Sequence, residues 1–326
     1  MKKQNRILSN VKIGWIIPEK ASYRKAMAST RIRVYDIIKG LKKYHIWSGL
    51  YKSYLSYNIV IFQKAFSSKY LQIALELKEK NTKIIFDINV NYIDFDKTFV
   101  TGKQKKDIKE MLKISDFVIT PTKYLADVYR KFHHQVYVIE EMIDDRFFSV
   151  KKKHKNNKSV NLLYCGYAIK AQDLNLIKDV LKKIYSQYKT GLILICDKDP
   201  CLDIIPYTFV KYNINKLHKL FLLGDIKISP RDLTRKYNLG HAFTKIGYPM
   251  AVGLPVVASP VFSYKESPAI LCNTIKEWKN SLEQLILNER IRNDLAYKGI
   301  NYVRNNYTER VITRKYIQLF KKVLDK

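Results

Sequence analysis

The sequence predicts a two-domain α/β protein, and three observations support this. Short apolar runs rich in Val, Ile and Phe alternate with segments of helical period, and the alternation restarts near residue 160. Strands that alternate with helices pair in parallel, because right-handed crossovers place the helices on the faces of the sheet. A charged stretch without apolar period, residues 151–158, separates the two runs. We expect it to be a solvated linker or, alternatively, a contact for acidic lipid headgroups.

Composition limits the class of protein before any motif is considered. Hydrophobic residues make up 47% of the chain, which suits a packed core, and no apolar run approaches the ~20 residues of a membrane helix. The basic N-terminus lacks the apolar region of a signal peptide. The four cysteines show no metal-ligand spacing, so no metal site is expected. These features fit a cytoplasmic protein.

The formal net charge of +31 bears on the choice of partners. Such a field attracts nucleic acid and anionic membrane surfaces. The positive charge is spread along the whole chain and no nucleic-acid motif is present, which disfavours nucleic acid. Two interpretations of the positive charge stay open. It could reflect a Lys- and Asn-rich composition with no role in binding, or it could dock a peripheral enzyme on acidic lipid.

Predicted elements follow the same order in both halves. In the first half, strands are predicted at residues 11–18, 58–64, 83–87, 115–122 and 135–144, and helices at 30–44, 68–80 and 123–132. In the second half, strands are predicted at 160–165, 191–196, within 221–228 and at 256–258, and helices at 173–188, 274–287, 288–305 and 308–326. The last helix has an apolar face, which predicts core packing or, alternatively, an amphipathic membrane anchor.

The segment from residue 240 to residue 260 organises the second half. It predicts a polar loop, one helical turn at Met250–Val252, a tight turn and a buried strand. Gly253 ends the helix because a residue with positive φ is needed there, and Pro255 prevents its restart. A helix N-terminus beside Lys245 forms an anion site. The alternative is a plain helix-to-strand connection.

This segment also carries a family resemblance. Met250-Ala251-Val252-Gly253-Leu254-Pro255-Val256-Val257-Ala258-Ser259 resembles the M-A-x-G-x-P-V-I-A-S signature of GT-B glycosyltransferases, of the large group 1 family. In that family the segment cradles the diphosphate and ribose of a nucleotide-sugar donor. The stretch Ala28-Ser29-Thr30-Arg31-Ile32-Arg33 is similar to the A-S-x-R-x-R opening of many bacterial members.

The resemblance implies two Rossmann-like domains that face a cleft. It divides the chain into an acceptor-binding domain (1–150), a donor-binding domain (159–305) and a C-terminal helix (306–326) that crosses back to the first domain. The implied reaction moves a sugar from a nucleotide-sugar donor to a hydroxyl of a glycan or lipid-linked acceptor, in surface-polysaccharide biosynthesis. No cofactor or metal is implied. The enzyme would be cytoplasmic or peripheral on the inner face of the membrane.

The donor site departs from the family pattern. The G-R-x-x-x-x-K-G run keeps Gly166 but lacks the Arg, and Lys170 stands in for the Lys. Both glutamates of the E-x7-E motif are absent, which leaves the sugar, the nucleotide and the stereochemistry undetermined. The predicted donor-binding residues are Gly166, Lys170, Arg231, His241, Lys245, Gly253, Ser263, Tyr264 and Glu266.

Three of these residues have specific predicted roles. Lys245 would stabilise the leaving phosphate, and Arg231 could hold phosphate or carboxylate with two parallel hydrogen bonds. His241 could donate a hydrogen bond to the same phosphate or act as an acid, and its alternative role is to cap the loop. Glu266 could take the place of a missing glutamate.

The acceptor side is predicted from residues at strand ends and at the first helix, where ligands bind in open α/β sheets. Asp87 is predicted to act as a base toward the acceptor hydroxyl, or to orient it, with a turn cap as the alternative. The other acceptor-binding candidates are Arg31, Arg33, Lys64 and Asn91. The arginines could instead face water beside a capping Ser29 or Thr30.

Two other hypotheses stay open. One keeps the fold and changes the reaction, to a sugar-nucleotide epimerase or a polyol-phosphate transferase. The other is a basic protein without enzymatic activity that binds nucleic acid or membrane. It predicts salt-sensitive polyanion binding and no nucleotide binding that depends on Lys245.

Overall fold

The structure is a computed structural model that describes residues 8, 10–18, 21–23, 25–94, 100–155, 159–188 and 190–325. The chain forms two compact units. Unit 1 comprises Met1–Met142 with Glu309–Lys326, and unit 2 comprises Ile143–Thr308. The return of the last helix to the first unit confirms the predicted topology.

Unit 1 contains a six-stranded sheet in which every pairing is parallel, in the order β2-β1-β3-β4-β5-β6. Its strands are β1 (Lys12–Ile16), β2 (Trp47–Leu50), β3 (Ile59–Gln63), β4 (Lys83–Asp87), β5 (Phe117–Thr120) and β6 (Val136–Val138). The edge strand β2 is not predicted, because half-exposed Trp-Ser-Gly-Leu lacks the β-branched run of a central strand. The prediction for β6 is too long.

The helices predicted at residues 30–44, 68–80 and 123–132 are present in unit 1, with one irregular segment, and the helix Gly102–Ile114 was not predicted. A five-residue π-helix, Arg31–Tyr35, interrupts the first predicted helix between α1 and α2. Turns of π-helix are rare in proteins overall, and those that occur are often found at functional sites. The α-helices are α1 (Ala28–Thr30), α2 (Asp36–Lys42), α3 (Ser68–Glu79), α4 (Gly102–Ile114), α5 (Lys123–Arg130) and, from the end of the chain, α13 (Glu309–Leu324).

The last helix, α13, packs on helix α2 through a close contact at a glycine. A Cβ atom at Gly40 of α2 would lie 2.3 Å from the Oγ1 atom of Thr313, so only glycine allows this approach. The apolar face of α13, including Tyr316 and Phe320, is buried. This face forms core, as the first of the two alternatives for this helix predicts.

Unit 2 contains a second six-stranded parallel sheet in the order β12-β11-β10-β7-β8-β9. Its strands are β7 (Asn161–Cys165), β8 (Gly191–Cys196), β9 (Thr208–Lys211), β10 (Ile226–Ser229), β11 (Val256–Ala258) and β12 (Ile270–Leu271). The central strands β7, β8, β10 and β11 are confirmed, since they are apolar and buried. The edge strands β9 and β12 are short and half-exposed, and periodicity does not reveal them.

Helices cover this sheet. The predicted capping box at Thr274 and Glu277 is confirmed, with both reciprocal hydrogen bonds present. The predicted helix at 173–188 begins as a 3₁₀ segment, Gln172–Ile177. The other 3₁₀ turns are Asp145–Phe148, Phe221–Leu223 and Phe262–Tyr264, and the α-helices are α6 (Ala168–Ala171), α7 (Lys178–Tyr188), α8 (Leu217–Leu220), α9 (Lys236–Leu239), α10 (Thr244–Ala251), α11 (Ile275–Leu287) and α12 (Glu289–Asn306).

The turn at residue 253 matches its prediction, but the helix before it is longer. Gly253 has φ +86°, which L side chains rarely adopt. The predicted single turn at Met250–Val252 is wrong, because α10 begins at Thr244 and holds Lys245 in its first turn. Pro249 lies inside this helix, and its carbonyl accepts a hydrogen bond from the N–H of Leu254.

The predicted linker is attached to unit 2 where the structure describes it. The N–H of Lys152 donates to the carbonyl of Val252, and its Nζ atom lies 2.9 Å from a carboxylate oxygen of Asp225. Nε2 of the buried His154 lies 2.8 Å from the carbonyl oxygen of Gly253. A freely solvated linker is therefore wrong for residues 151–155, and residues 156–158 lie outside the described residues.

Among the described residues, no helix combines the length and the apolar character that spanning a bilayer requires.

Candidate functional site

Three neighbouring strands of unit 2 end beside one another and carry most of the predicted donor-binding residues. Gly166 follows β7, Arg231 follows β10 and Ser259 follows β11, and β10 lies between the other two. The N–H of Arg231 donates to Oγ of Ser259 at 2.8 Å, which ties two of the loops together. This carboxyl edge of a parallel sheet is the usual place for a ligand.

Arg231 is the central charged residue of this edge. Its side chain is buried, and Nη1 lies 3.1 Å from Oδ2 of Asp173. Its guanidinium also lies near the ring of Tyr164, with Cζ 5.9 Å from the ring centroid. A second nitrogen, Nε, is buried and has no hydrogen-bond partner. Arg231 is therefore fixed in place with a donor to spare.

Three lysines join Arg231 in what we call the cationic cluster, which comprises Lys170, Lys227, Arg231 and Lys245. The charge of Arg231 acts on Lys170 and Lys227, and the charge of Lys245 acts on Lys227. Lys170 lies over the ring of Tyr237, with Nζ 4.3 Å from the ring centroid, and Nζ donates a hydrogen bond to the Tyr237 hydroxyl. Burial first and then the charge of Arg231 lower the pKa of Lys170 to about 8. Lys245 is half-buried in the first turn of α10.

Lys227 belongs to the cluster but was not predicted from the sequence. It occupies a buried strand position between Ile226 and Ile228, and only 1% of its side chain is exposed. Its Nζ atom donates to the carbonyl of Ile228 at 2.8 Å and lies 4.8 Å from the centroid of the Tyr164 ring. A lysine inside a run of Ile residues was the signal that could have revealed it, since lysine is almost never fully buried without a partner.

His241 faces the same cations and is uncharged at neutral pH. Its Nε2 atom lies 3.0 Å from Oδ1 of Asn238. Burial, together with the charges of Arg231, Lys170 and Lys245, places the pKa of His241 well below its usual value. This corrects the predicted role as an acid and leaves that of a neutral hydrogen-bonding group.

The electrostatics of the cluster favour an anion. Arg231, three lysines and a histidine that is held neutral meet at one sheet edge. Burial without enough opposite charge is unfavourable for each cation, and an anion of two or more charges would relieve that cost. The geometry therefore fits a phosphate or diphosphate group.

In unit 1, Arg33 and Asp87 form a buried ion pair. Nε of Arg33 donates to Oδ1 and Oδ2 of Asp87 at 2.8 and 2.9 Å, and Nη1 donates to the carbonyl of Ile139 at 2.9 Å. The side chains are 1% and 0% exposed. Burial raises the pKa of Asp87 to about 6, so the carboxyl is ionised at neutral pH. The predicted role of Asp87 as a base is corrected, because its oxygens already accept from Arg33.

Among the predicted acceptor-side residues, Lys64 lies at the end of a strand in a strained backbone conformation. It follows β3 with φ 53°, a left-handed conformation that is costly outside glycine. Its Nζ atom donates to Oγ of Ser29 at 2.8 Å. The adjacent Gln63 is fully buried, and its Nε2 atom has no hydrogen-bond partner. A polar ligand at this strand end would meet an amide donor that no protein atom uses.

The remaining acceptor-side candidates are engaged within the protein. Nη1 of Arg31 donates to the carbonyl of Ala26 at 2.9 Å, and its side chain is buried. Nδ2 of Asn91, also buried, donates to Oδ2 of Asp94 at 3.0 Å. With Arg33 paired to Asp87, these residues support the loops at the strand ends. Neither arginine faces water, contrary to the alternative expectation.

Comparison with solved structures identifies the architecture. A glycosyltransferase from Rickettsia africae ESF-5 superposes with a TM-score of 0.65 at 14% identity, over 96% of this chain and 98% of that one. S. aureus TarM superposes with a TM-score of 0.62 at 16% identity, over 80% of this chain and 55% of TarM, so the chain spans about half the length of TarM. A putative UDP-N-acetylglucosamine 2-epimerase from Listeria monocytogenes gives 0.54 at 9% identity, over 97% of each chain.

The chain has the GT-B fold. No protein-family model matches the sequence, and no curated protein matches it.

The motif residues of the GT-B fold take different roles in unit 2. A Cβ atom at Gly166 would lie 2.7 Å from the Tyr164 hydroxyl, so glycine is required there. Gly253 supplies the turn through its positive φ. Oγ of Ser263 donates to the carbonyl of His241 at 2.6 Å, which holds their loops together. Tyr264 is 0% exposed, so its predicted contact with the donor is corrected to a core role.

Glu266 does not join the cationic cluster as a replacement for the missing glutamates. It is exposed and lines a separate surface pocket of about 440 Å³ with Tyr297, Lys298 and Tyr302. The loop turns through the 3₁₀ segment Phe262–Tyr264 before Glu266 is reached. Sequence spacing alone could not reveal this change of direction.

Proposed function

We propose that the protein is a glycosyltransferase that binds the diphosphate of a nucleotide-sugar donor at the cationic cluster of unit 2. The observation that carries the proposal is the cluster itself, at the carboxyl edge of the second sheet. The GT-B fold adds support, since the TarM structure contains UDP and the R. africae relative is a glycosyltransferase.

The chemistry follows from charge. As the bond between the sugar and the diphosphate breaks, negative charge grows on the departing phosphate. Lys245 and Arg231 would stabilise that charge, and fixed cations do so without reorganisation. His241, held neutral, would donate or accept one hydrogen bond to the donor. We propose that these side chains act without a resident cofactor or an essential metal ion.

The acceptor hydroxyl would bind to unit 1, at the strand ends marked by Lys64 and Gln63. The unpartnered amide of Gln63 and the strained backbone of Lys64 support this assignment. The Arg33–Asp87 pair would hold the π-helix beside these strand ends. We propose a glycan or lipid-linked acceptor and a product that enters a cell-surface polysaccharide.

A nucleotide panel tests the donor class. UDP, GDP, CDP, ADP and CMP, with their sugars, are added to the wild type, to Lys245→Ala and to the control Lys265→Ala, which changes an exposed lysine of the same unit. A ligand at 100 times its Kd stabilises the folded state by about 2.7 kcal/mol, so one nucleotide is expected to raise the wild-type and control Tm by several degrees. The Lys245→Ala shift should be smaller. Equal Tm shifts in the wild type and both variants would show that Lys245 does not contribute to nucleotide binding.

The reaction itself is separated from its alternatives by product analysis. An epimerase on the same fold, as the Listeria relative suggests, converts the nucleotide sugar without an acceptor. A polyol-phosphate transferase leaves phosphate on the product. A glycosyltransferase releases the nucleotide only with a glycosylated acceptor. Polyanion binding without nucleotide binding would favour the basic binding protein.

We further propose that the protein docks on anionic lipid of the inner membrane face. Lysines repeat at helical spacing along α4 and are exposed, at Lys103, Lys106, Lys109 and Lys113. Each lysine near an anionic surface contributes about 1 kcal/mol to binding. Replacing the four by Gln should abolish sedimentation with phosphatidylglycerol vesicles, whereas Lys276→Gln with Lys279→Gln should not. Equal sedimentation of both variants would exclude α4 as the docking surface, and a wild type that does not sediment would favour a charge that is only compositional.

A further inference from the structure

Lys227 lies in the donor-binding unit, yet no ion pair explains its burial. Its Nζ atom has one hydrogen bond, to the neutral carbonyl of Ile228. Among the described residues, no carboxylate forms an ion pair with it, and the permanently or ordinarily charged side chains that act on it are the cations Arg231 and Lys245. A lysine that is 1% exposed costs several kcal/mol if charged and unpaired. The site therefore either keeps this amine neutral or provides an anion for it.

The groups around Lys227 come from two strands, a loop and a helix. Tyr164 and Cys165 belong to β7, Cys196 to β8 and Lys245 to α10, and Arg231 follows β10. Burial raises the pKa of the Cys165 thiol and raises that of Cys196 to about 12, so neither thiol supplies a negative charge at neutral pH. The Tyr164 hydroxyl is neutral for the same reason, with a pKa of about 12. The groups named here are thus neutral or positive.

Lys227 is nevertheless connected to the donor site. Its Nζ atom lies 4.8 Å from the centroid of the same Tyr164 ring that Arg231 approaches at 5.9 Å. Lys227 pairs with Val256 and Ser229 with Ala258 across β10 and β11, and Ser259 then binds the backbone of Arg231. The lysine therefore lies beneath the loops that would hold the diphosphate.

We propose that Lys227 takes up a proton when the donor diphosphate binds, and so becomes a further cation of the leaving-group site. This inference rests on the proposed function. In the empty protein, burial first and then the charges of Arg231 and Lys245 lower the pKa of Lys227 to about 7. A bound diphosphate adds negative charge and raises that pKa toward the ordinary value of about 10.4.

The sign of the pH dependence follows. Above pH 7 the free protein holds the amine largely neutral, and the complex holds it protonated, so binding consumes a proton. The affinity for a diphosphate should then fall as the pH rises from about 7 to 9, by up to tenfold per pH unit for one proton. The same proton would stay with Lys227 until the diphosphate leaves, and no covalent step is involved.

The test counts protons by titration calorimetry. Inorganic pyrophosphate is titrated into the full chain at pH 8, with EDTA, in two buffers of different ionisation enthalpy. The variants are Lys227→Met, Lys227→Arg and a control, Lys276→Met, which changes an exposed lysine of α11. The wild type and the control should take up close to one proton more than Lys227→Met does. Proton changes of the ligand, Lys170 and His241 are common to all variants and cancel in this difference.

Each outcome decides a separate point. Lys227→Arg should bind pyrophosphate with the smaller proton count, because arginine is always charged. Equal proton counts in the wild type and Lys227→Met would overturn the inference and leave the donor proposal to the nucleotide panel.

Proton-coupled pyrophosphate binding without nucleotide binding would support the role of Lys227 and overturn the proposed function. No pyrophosphate binding by the wild type would overturn both. If Lys227→Met does not fold, a wild-type affinity that is independent of pH between 7 and 9 also overturns the inference.

Discussion

Replacing Asp87 by Asn is expected to lower the free energy of unfolding by about 3–5 kcal/mol, because it leaves the buried Arg33 guanidinium without its counter-charge. This is a large part of the stability of an ordinary domain, about 5–15 kcal/mol. Urea denaturation followed by circular dichroism measures the change. A loss below about 1 kcal/mol would mean that the ion pair is exposed to water in solution.

Two further variants separate the buried charge from side-chain packing. Asp127→Asn breaks the exposed pair with Arg130 and should change stability by less than about 1 kcal/mol. The double variant Arg33→Met with Asp87→Leu removes both charges and should lose less stability than Asp87→Asn alone. A double variant that is less stable than Asp87→Asn would indicate that hydrogen bonds to the backbone, such as that to Ile139, matter more than the charges.

Replacing Arg231 by Met is expected to weaken binding of the nucleotide identified by the panel by about 30- to 1000-fold. Loss of a buried charge that contacts a ligand typically costs about 2–4 kcal/mol, which corresponds to that range. The change also leaves the carboxylate of Asp173 without its partner, next to the phosphate. Titration calorimetry at fixed salt measures the effect.

The control for Arg231→Met is Arg235→Met. Arg235 lies in the same loop, but its side chain is 71% exposed and pairs with Asp232. Its replacement should change the Kd by less than about threefold, as for a surface ion pair. Arg231→Lys keeps the charge without the planar guanidinium and should fall between the two. Equal affinities for Arg231→Met and Arg235→Met would exclude Arg231 from the donor site.

The fold was largely predictable because its central strands are buried on both faces. The first four residues of Ile59–Gln63 and all of Val256–Ala258 are apolar, and the positive φ at Gly253 favours glycine there. The edge strands β2, β9 and β12 were missed because they are short and half-exposed. Such strands need neither a continuous apolar run nor a regular alternation of apolar and polar residues. The π-helix at Arg31–Tyr35 has no sequence signal that periodicity detects, since it fits within one apolar helical period.

The site was predictable only in part. Arg231 follows a strand and Lys245 lies in the first turn of a helix, and a sequence pattern can locate such positions. Asp87 was misassigned because strand register does not reveal that a helix 54 residues earlier delivers Arg33 to both carboxylate oxygens. Lys227 was missed because a single lysine only interrupts the apolar pattern of its strand. The residues that surround it come from other strands and from a helix, and the sequence of its own strand does not reveal them.

The central claim is that the donor diphosphate binds at the cationic cluster of unit 2. A crystal structure with the nucleotide identified by the panel tests it most directly. The account predicts diphosphate oxygens within hydrogen-bonding distance of the side chains of Arg231 and Lys245. Nucleotide bound elsewhere, such as at Lys64 in unit 1, with the cluster unchanged, would contradict it.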